Sequence, residues 1–109
     1  MDFYHDWRSV SNDEAWHFLM SSDRLADLDT AYGGLPAHDG LWQAAGATMN
    51  YLLARLAIAP LVLEARELDV TPTMIDRFKS VGDEETANAR GIIMTDEITN
   101  VSVGKRWFD

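Results

Sequence analysis

The sequence predicts an all-α fold, and three observations support that class. No segment alternates apolar and polar residues for long, and β-branched residues do not cluster between turn residues. Apolar residues instead recur at spacings of three and four, the period of an amphipathic helix. The chain has 109 residues, 47% apolar and 25% charged, which suits one soluble domain with one core. We therefore predict a single all-α domain over residues 1–109, built from three long helices and one short helix.

The first two helices are delimited by glycine, proline and a capping residue. Apolar periodicity runs over residues 3–28 and stops before a loop at residues 31–36, where Gly and Pro interrupt it. Asp39 is the predicted N-cap of a second helix over residues 40–68. Between Tyr51 and Ala65 this helix is apolar on nearly every face, so we expect neighbours on all its sides.

Proline and glycine also set the later boundaries. Pro60 lies inside the second helix and predicts a kink or a local loosening of its hydrogen-bond ladder. Thr71 followed by Pro72 predicts the start of a short third helix that ends at Gly82. Asp83 then caps a fourth helix over residues 84–107, whose acidic first turn and basic last turn both suit the helix dipole.

Charge and composition exclude several classes of protein. Nine Lys and Arg stand against eighteen Asp and Glu, so the net charge of -9 repels nucleic acid. The longest apolar stretch, residues 56–63, is far shorter than the roughly 20 residues that span a bilayer, so we expect no membrane partner. Without cysteine, His and carboxylates are the candidate metal ligands. The acidic, aromatic start of the chain does not resemble a secretion signal, which predicts a cytoplasmic location.

Helical projection places ionisable residues on faces that should be buried. Glu14 and His17 leave the same side of the first helix one turn apart. Glu64 and Glu97 lie on the inward faces predicted for the second and fourth helices. The stripe that holds the first pair also comprises Phe3, Trp7, Val10, Phe18, Ser21, Leu25 and Leu28.

Buried carboxylates cost several kcal/mol unless they are paired or bind a metal. Two interpretations therefore stay open. The three helices can together hold a hard divalent ion such as Fe(II) or Mn(II). Alternatively, these residues are protonated or salt-bridged core carboxylates, with Arg90 as a partner on the Glu97 face.

Four segments of the sequence resemble a known family. They read Asn-Asp-Glu-Ala-Trp-His-Phe at 12–18, Leu-Pro-Ala-His-Asp-Gly-Leu-Trp at 35–42, Val-Leu-Glu-Ala-Arg-Glu-Leu-Asp-Val-Thr-Pro at 62–72, and Asp-Glu-Ile-Thr-Asn-Val at 96–101. Gly104 and the Trp-Phe pair at 107–108 follow the last segment. These motifs resemble the ferritin-like superfamily, and more closely a bacterial ferritin-like family of unknown function. The resemblance implies a ferritin-like helical bundle.

In that superfamily two helices each donate a Glu to a di-metal site, and two others each donate a Glu-x-x-His pair. The resemblance implies that Glu14 and His17 are the first pair, Glu64 a single Glu, and Glu97 the Glu of the second pair. Asn100 stands where the second His is expected, and an amide is a poorer ligand for Fe or Mn. We also expect the family's first ligand-bearing helix to be absent, which leaves two of six ligands missing.

The resemblance predicts a ferritin-like protein with a partial or degenerate di-metal carboxylate site. Its activity would be that of a metal-dependent oxidoreductase using Fe or Mn in O₂ or peroxide chemistry on a small-molecule substrate. The alternative is a metal-free helical dimerisation or interaction module that retains buried carboxylates. The residues alone leave open whether the chain is an enzyme.

Both functions predict a homodimer. Three long helices arranged for a four-helix bundle leave an apolar face uncovered, and a second copy in a two-fold dimer would cover it. Trp7, Trp16, Trp42 and Trp107 are candidates for anchoring that interface, although plain core packing explains each of them equally well.

Overall fold

The computed structural model describes residues 2–37 and 39–109. In these residues the chain forms helices and no strand. The helical elements are α1 (Asp2–Asp27), α2 (Gly40–Ala47), α3 (Leu52–Ile58), a π-helical segment (Ala59–Glu64), α4 (Ala65–Ser80) and α5 (Glu84–Phe108). Since α3, the π-helical segment and α4 follow one another without a break, they form one long helix. The predicted all-α class is confirmed for the described part of the chain, with three long helices and one short helix.

The short helix is not the one that the sequence predicted. A turn at residues 48–50 interrupts the predicted second helix, so that α2 is the short helix. The hydroxyl of Thr48 donates to the carbonyl oxygen of Ala44 over 2.9 Å. The guanidinium of Arg55 donates to Thr48 Oγ1 over 2.8 Å and to the carbonyl oxygen of Ala45 over 2.6 Å. These bonds add side-chain donors to carbonyl groups that already accept from the backbone N–H of Thr48, and they stabilise the break.

The predicted helix start at Thr71 is also wrong, because Pro72 lies inside α4. Proline inside a helix removes one backbone hydrogen bond at a cost of about 3 kcal/mol, which tertiary packing can offset. Thr71 is only 1% exposed, and Arg90 of α5 approaches its hydroxyl. Packing between α4 and α5 therefore outweighs the local start signal.

The chain divides into two compact units, residues 1–38 and residues 39–109, and each is described by itself. The prediction of one domain over the whole chain stays a prediction. In the first unit, α1 begins and ends one residue before the helix predicted over residues 3–28, so that helix is confirmed. Val10 and His17 are buried as predicted, but Glu14, Phe18 and Leu28 of the same predicted stripe are exposed. The core-facing position predicted for Glu14 is therefore wrong.

In the second unit, local signals set the boundary between α4 and α5. Gly82 follows α4 with a φ of +82°, a left-handed conformation that favours glycine. The carboxylate of Asp83 accepts a hydrogen bond from the backbone N–H of Thr86 over 3.1 Å, as an N-cap should. The predicted end at Gly82 and the predicted cap are both confirmed.

The π-helical segment begins next to Pro60, which is buried. A π-helix has hydrogen bonds from residue i to i+5, so the predicted loosening of the ladder at this proline is confirmed. Gly104 of α5 lies against the proline ring: a Cβ atom on this glycine would be 2.3 Å from Pro60 Cβ. The two backbones approach this closely because Gly104 has no side chain.

Large apolar side chains remain exposed along α3 and the π-helical segment. Leu52 is 58% exposed and Val62 is 52% exposed, with Leu53 and Ile58 exposed between them. The prediction that this stretch is enclosed on all sides is therefore wrong for the single chain. No helix in the described residues combines the length and the apolar character needed to cross a membrane.

Candidate metal centre

In the first unit, α1 brings Glu14 and His17 together. His17 Nδ1 is 3.9 Å from Glu14 Oε1, and the two residues are three apart on the helix. The two side chains differ in environment, since that of His17 is 7% exposed and that of Glu14 is 52% exposed. The distance exceeds that of a hydrogen bond, so this contact alone does not orient the imidazole. The pair presents one buried nitrogen ligand and one solvated carboxylate.

In the second unit, α5 carries Glu97 and Asn100 on its buried face. Glu97 is 7% exposed and Asn100 is 2% exposed, and Ile93 and Gly104 share the same stripe. The face predicted for this helix is therefore confirmed. Asn100 Nδ2 is buried and has no hydrogen-bond partner among the described residues. A buried amide group without a hydrogen-bond partner costs free energy. Packing alone therefore does not explain why an asparagine occupies position 100.

Glu64 is the last residue of the π-helical segment and is half-buried. Its neighbours on α5 follow from an antiparallel register. Arg90 approaches Met74, and Gly104 lies against Pro60, so later residues of one helix oppose earlier residues of the other. Counting inward from these two contacts sets Glu64 at the level of Asn100, with Glu97 about one turn closer to the start of α5. The second unit thus carries two carboxylates and one amide within about one helical turn.

The chemistry of these donors fits an ion that prefers oxygen ligands. Carboxylate and amide oxygens suit Mn(II), Fe(II) and other hard divalent cations, and the imidazole of His17 in the first unit also suits iron. In residues 2–37 and 39–109, no group of three or more His, Asp or Glu side chains is arranged to hold a metal ion. Glu64, Glu97 and Asn100 are the residues of the second unit that would contribute oxygen ligands.

Two arginines have roles that the sequence did not reveal. Arg55 stabilises the turn after α2 by donating a hydrogen bond to Thr48, seven residues earlier in the chain. No sequence pattern of helix ends or turns predicts a contact at this separation. Arg90 was expected to pair with the buried carboxylates. Its Nη2 instead lies 3.5 Å from Thr71 Oγ1 and 3.9 Å from Met74 Sδ, both neutral groups. His38, which belongs to one of the matching motifs, lies outside the described residues.

The family described as "Protein of unknown function (DUF455)" matches residues 1–109, the whole length of the chain. The chain belongs to this family. A relative of this DUF455 chain in Haemophilus influenzae, described as "Uncharacterized protein", is 39% identical over 106 residues. The match covers 97% of this chain but only 37% of the relative, so the chain spans little more than a third of that protein's length. No solved structure matches this DUF455 chain.

Proposed function

We propose that this chain is a ferritin-like protein with a partial di-metal carboxylate site that binds Fe or Mn. The second unit offers Glu64 and Glu97 as ligands in this proposal, and the first unit, considered by itself, offers the Glu14 and His17 pair. The observation that supports the proposal is the burial of Glu97 and Asn100 on one face of α5, and the antiparallel register inferred above sets Glu64 level with Asn100. Carboxylate oxygens are ligands that hard divalent cations prefer, and one cation can bind several of them at once.

Each ligand has a distinct task in this proposal. Glu64 and Glu97 supply negative charge that balances the cation in a partly dehydrated setting. His17 offers a nitrogen ligand, and its burial keeps water from competing for that nitrogen. When bound, iron or manganese would supply redox chemistry with O₂ or peroxide toward a small-molecule substrate. Asn100 lowers the affinity of the site because its amide is neutral.

Metal content tests this proposal directly. The chain is purified without chelator or affinity metal, loaded with Fe(II) under anaerobic conditions, and dialysed before elemental analysis. We expect Glu64→Gln and Glu97→Gln each to lower the bound metal at least tenfold, because each removes an anionic ligand while keeping its shape. Glu84→Gln is the matched control, since Glu84 is exposed in the first turn of α5. Circular dichroism checks that helix content is retained.

The outcomes separate clearly. Metal bound by the unmodified chain and by Glu84→Gln, but lost in the other two variants, supports the proposed ligands. Equal metal content in all four proteins, including none in any, would contradict the proposal.

A metal-free dimerisation module is the second candidate function, and two observations favour it. Asn100 occupies the position where a His ligand is expected. Leu52, Val62 and their exposed neighbours leave apolar surface that a second copy of the chain would cover. Trp16 and Trp42 are also exposed and are available as interface anchors. In this function the buried carboxylates are hydrogen-bond partners, and association does not depend on metal.

A further inference from the structure

Arg90 is a half-buried cation between α4 and α5 that the proposed metal site does not use. Its Nε atom is buried and has no hydrogen-bond partner among the described residues. Its Nη2 lies 3.5 Å from Thr71 Oγ1, at the limit of a hydrogen bond, and 3.9 Å from Met74 Sδ. The guanidinium therefore has weak and neutral neighbours.

This environment is unusual because the chain is rich in acids. Eighteen Asp and Glu residues give a net charge of -9. In residues 2–37 and 39–109, however, no ion pair joins Arg90 to a carboxylate. By contrast, Arg24 forms an ion pair with Asp27. A shortage of acidic residues therefore does not explain why Arg90 lacks a counter-ion.

A cation that is partly desolvated is stabilised by an anion beside it. The planar N–H groups of arginine match the oxygens of carboxylate and phosphate, and such pairs strengthen when water is excluded. Arg90 as a whole is half-buried, so part of the residue is open to solvent. We propose that Arg90 anchors the oxyanion group, a carboxylate or phosphate, of a small-molecule ligand at the α4–α5 pair.

The proposal is independent of the metal site, so it is tested on protein dialysed free of metal. Inorganic phosphate and succinate are titrated separately at constant ionic strength, with chloride as the reference anion. One readout is the thermal midpoint, and the other is the Arg90 Nε–H resonance in NMR spectra. We expect at least one oxyanion to shift the resonance saturably and to raise Tm by about 4 °C or more at saturation.

Two variants identify the residue responsible. Arg90→Met removes the charge but keeps an unbranched side chain, and Arg66→Met is the control because Arg66 is exposed on α4. We expect Arg90→Met to abolish the oxyanion-specific rise in Tm and Arg66→Met to retain it. A response by phosphate alone or by succinate alone identifies the headgroup.

The overturning results are equally definite. A rise in Tm that persists in Arg90→Met would assign the effect to general salt stabilisation. An Arg90 resonance that does not move with either anion would also overturn the proposal. This second measurement uses the unmodified chain, so it decides the question even when Arg90→Met does not fold.

Discussion

Gly104 permits the closest approach between α5 and the π-helical segment. A Cβ atom at this position would be 2.3 Å from Pro60 Cβ and 2.4 Å from Pro60 Cγ. The pyrrolidine ring is rigid, so it cannot move aside as a flexible side chain can. The close approach of the two backbones at this point therefore depends on the absence of a side chain at Gly104.

Replacing Gly104 with Ala should destabilise the fold by about 2 kcal/mol, because overpacking outweighs the gain in helix propensity. Urea unfolding followed by circular dichroism measures the change. Gly91→Ala is the control on the same helix, since no heavy atom lies within 4 Å of its added Cβ. That variant should stabilise the chain by about 0.5 to 1 kcal/mol. Equal effects of the two substitutions would contradict the packing argument.

Single residues also show how far the candidate site follows from the sequence. Burial of Glu97 and Asn100 was predictable, because α5 is a regular helix whose apolar period continues through both positions. The exposure of Glu14 was not predictable in this way. A stripe drawn on a helical projection identifies a face, but it does not specify which part of that face another element covers. Arg90 was placed on the right face, and only the structure identifies its neutral neighbours.

At the scale of elements, two acidic residues precede helices but act differently. Asp83 accepts a backbone N–H at the start of α5. Asp39 occupies the corresponding position before α2 and makes no such bond. Its carboxylate instead accepts from Gln43 Nε2 over 2.7 Å, at the surface. The sequence predicted both residues as N-caps. Of the two, Asp83 forms the capping hydrogen bond and Asp39 does not.

This difference gives a matched prediction. Asp83→Ala should lower the free energy of unfolding by about 1 kcal/mol, because α5 loses its bonded N-cap. Asp39→Ala removes the same charge and should change stability by less than about 0.5 kcal/mol, as expected for an exposed side-chain pair. Chemical denaturation of the two variants measures both values. A larger loss in Asp39→Ala than in Asp83→Ala would show that the cap geometry is not what stabilises these helix starts.

Element boundaries were predictable where the signal is local. The end of α4 at Gly82 and the cap at Asp83 depend on residues adjacent in sequence, and both were predicted correctly. The continuation of α4 through Pro72 depends on packing against α5, and the break after α2 depends on Arg55 reaching back seven residues. Such contacts between distant residues override local propensity, so pattern alone placed the short helix wrongly.

At the scale of the whole molecule, the exposed apolar side chains of α3 and the π-helical segment predict self-association. Covering them in a dimer would remove apolar surface from water at about 25 cal/mol per Å². Light scattering over a range of concentrations, with and without chelator, measures the mass. A metal-free module should dimerise equally well in both conditions.

The interface is tested by introducing a charge into it. Val62→Glu should shift the chain toward monomer by burying an uncompensated carboxylate, while leaving its helical content unchanged. Val81→Glu is the matched control, because Val81 is 78% exposed in the turn after α4. A monomeric unmodified chain, or equal dimerisation of the two variants, would exclude this face as the interface.

The π-helical segment changes how the long helix must be compared between related sequences. A π turn accommodates one additional residue, so each later residue lags by about 100° behind the position that it would have in an uninterrupted α-helix. Leu53 and Glu64 are eleven residues apart and would share one face of a regular helix, yet Leu53 is exposed and Glu64 is half-buried. Deleting one residue within the π turn would therefore restore a regular α-helix and leave Glu64 and the later side chains on their present faces, whereas the same deletion in α4 would rotate every side chain that follows it. In a homologue, a length difference of one residue at this stretch would therefore be compatible with the same faces on both sides of it.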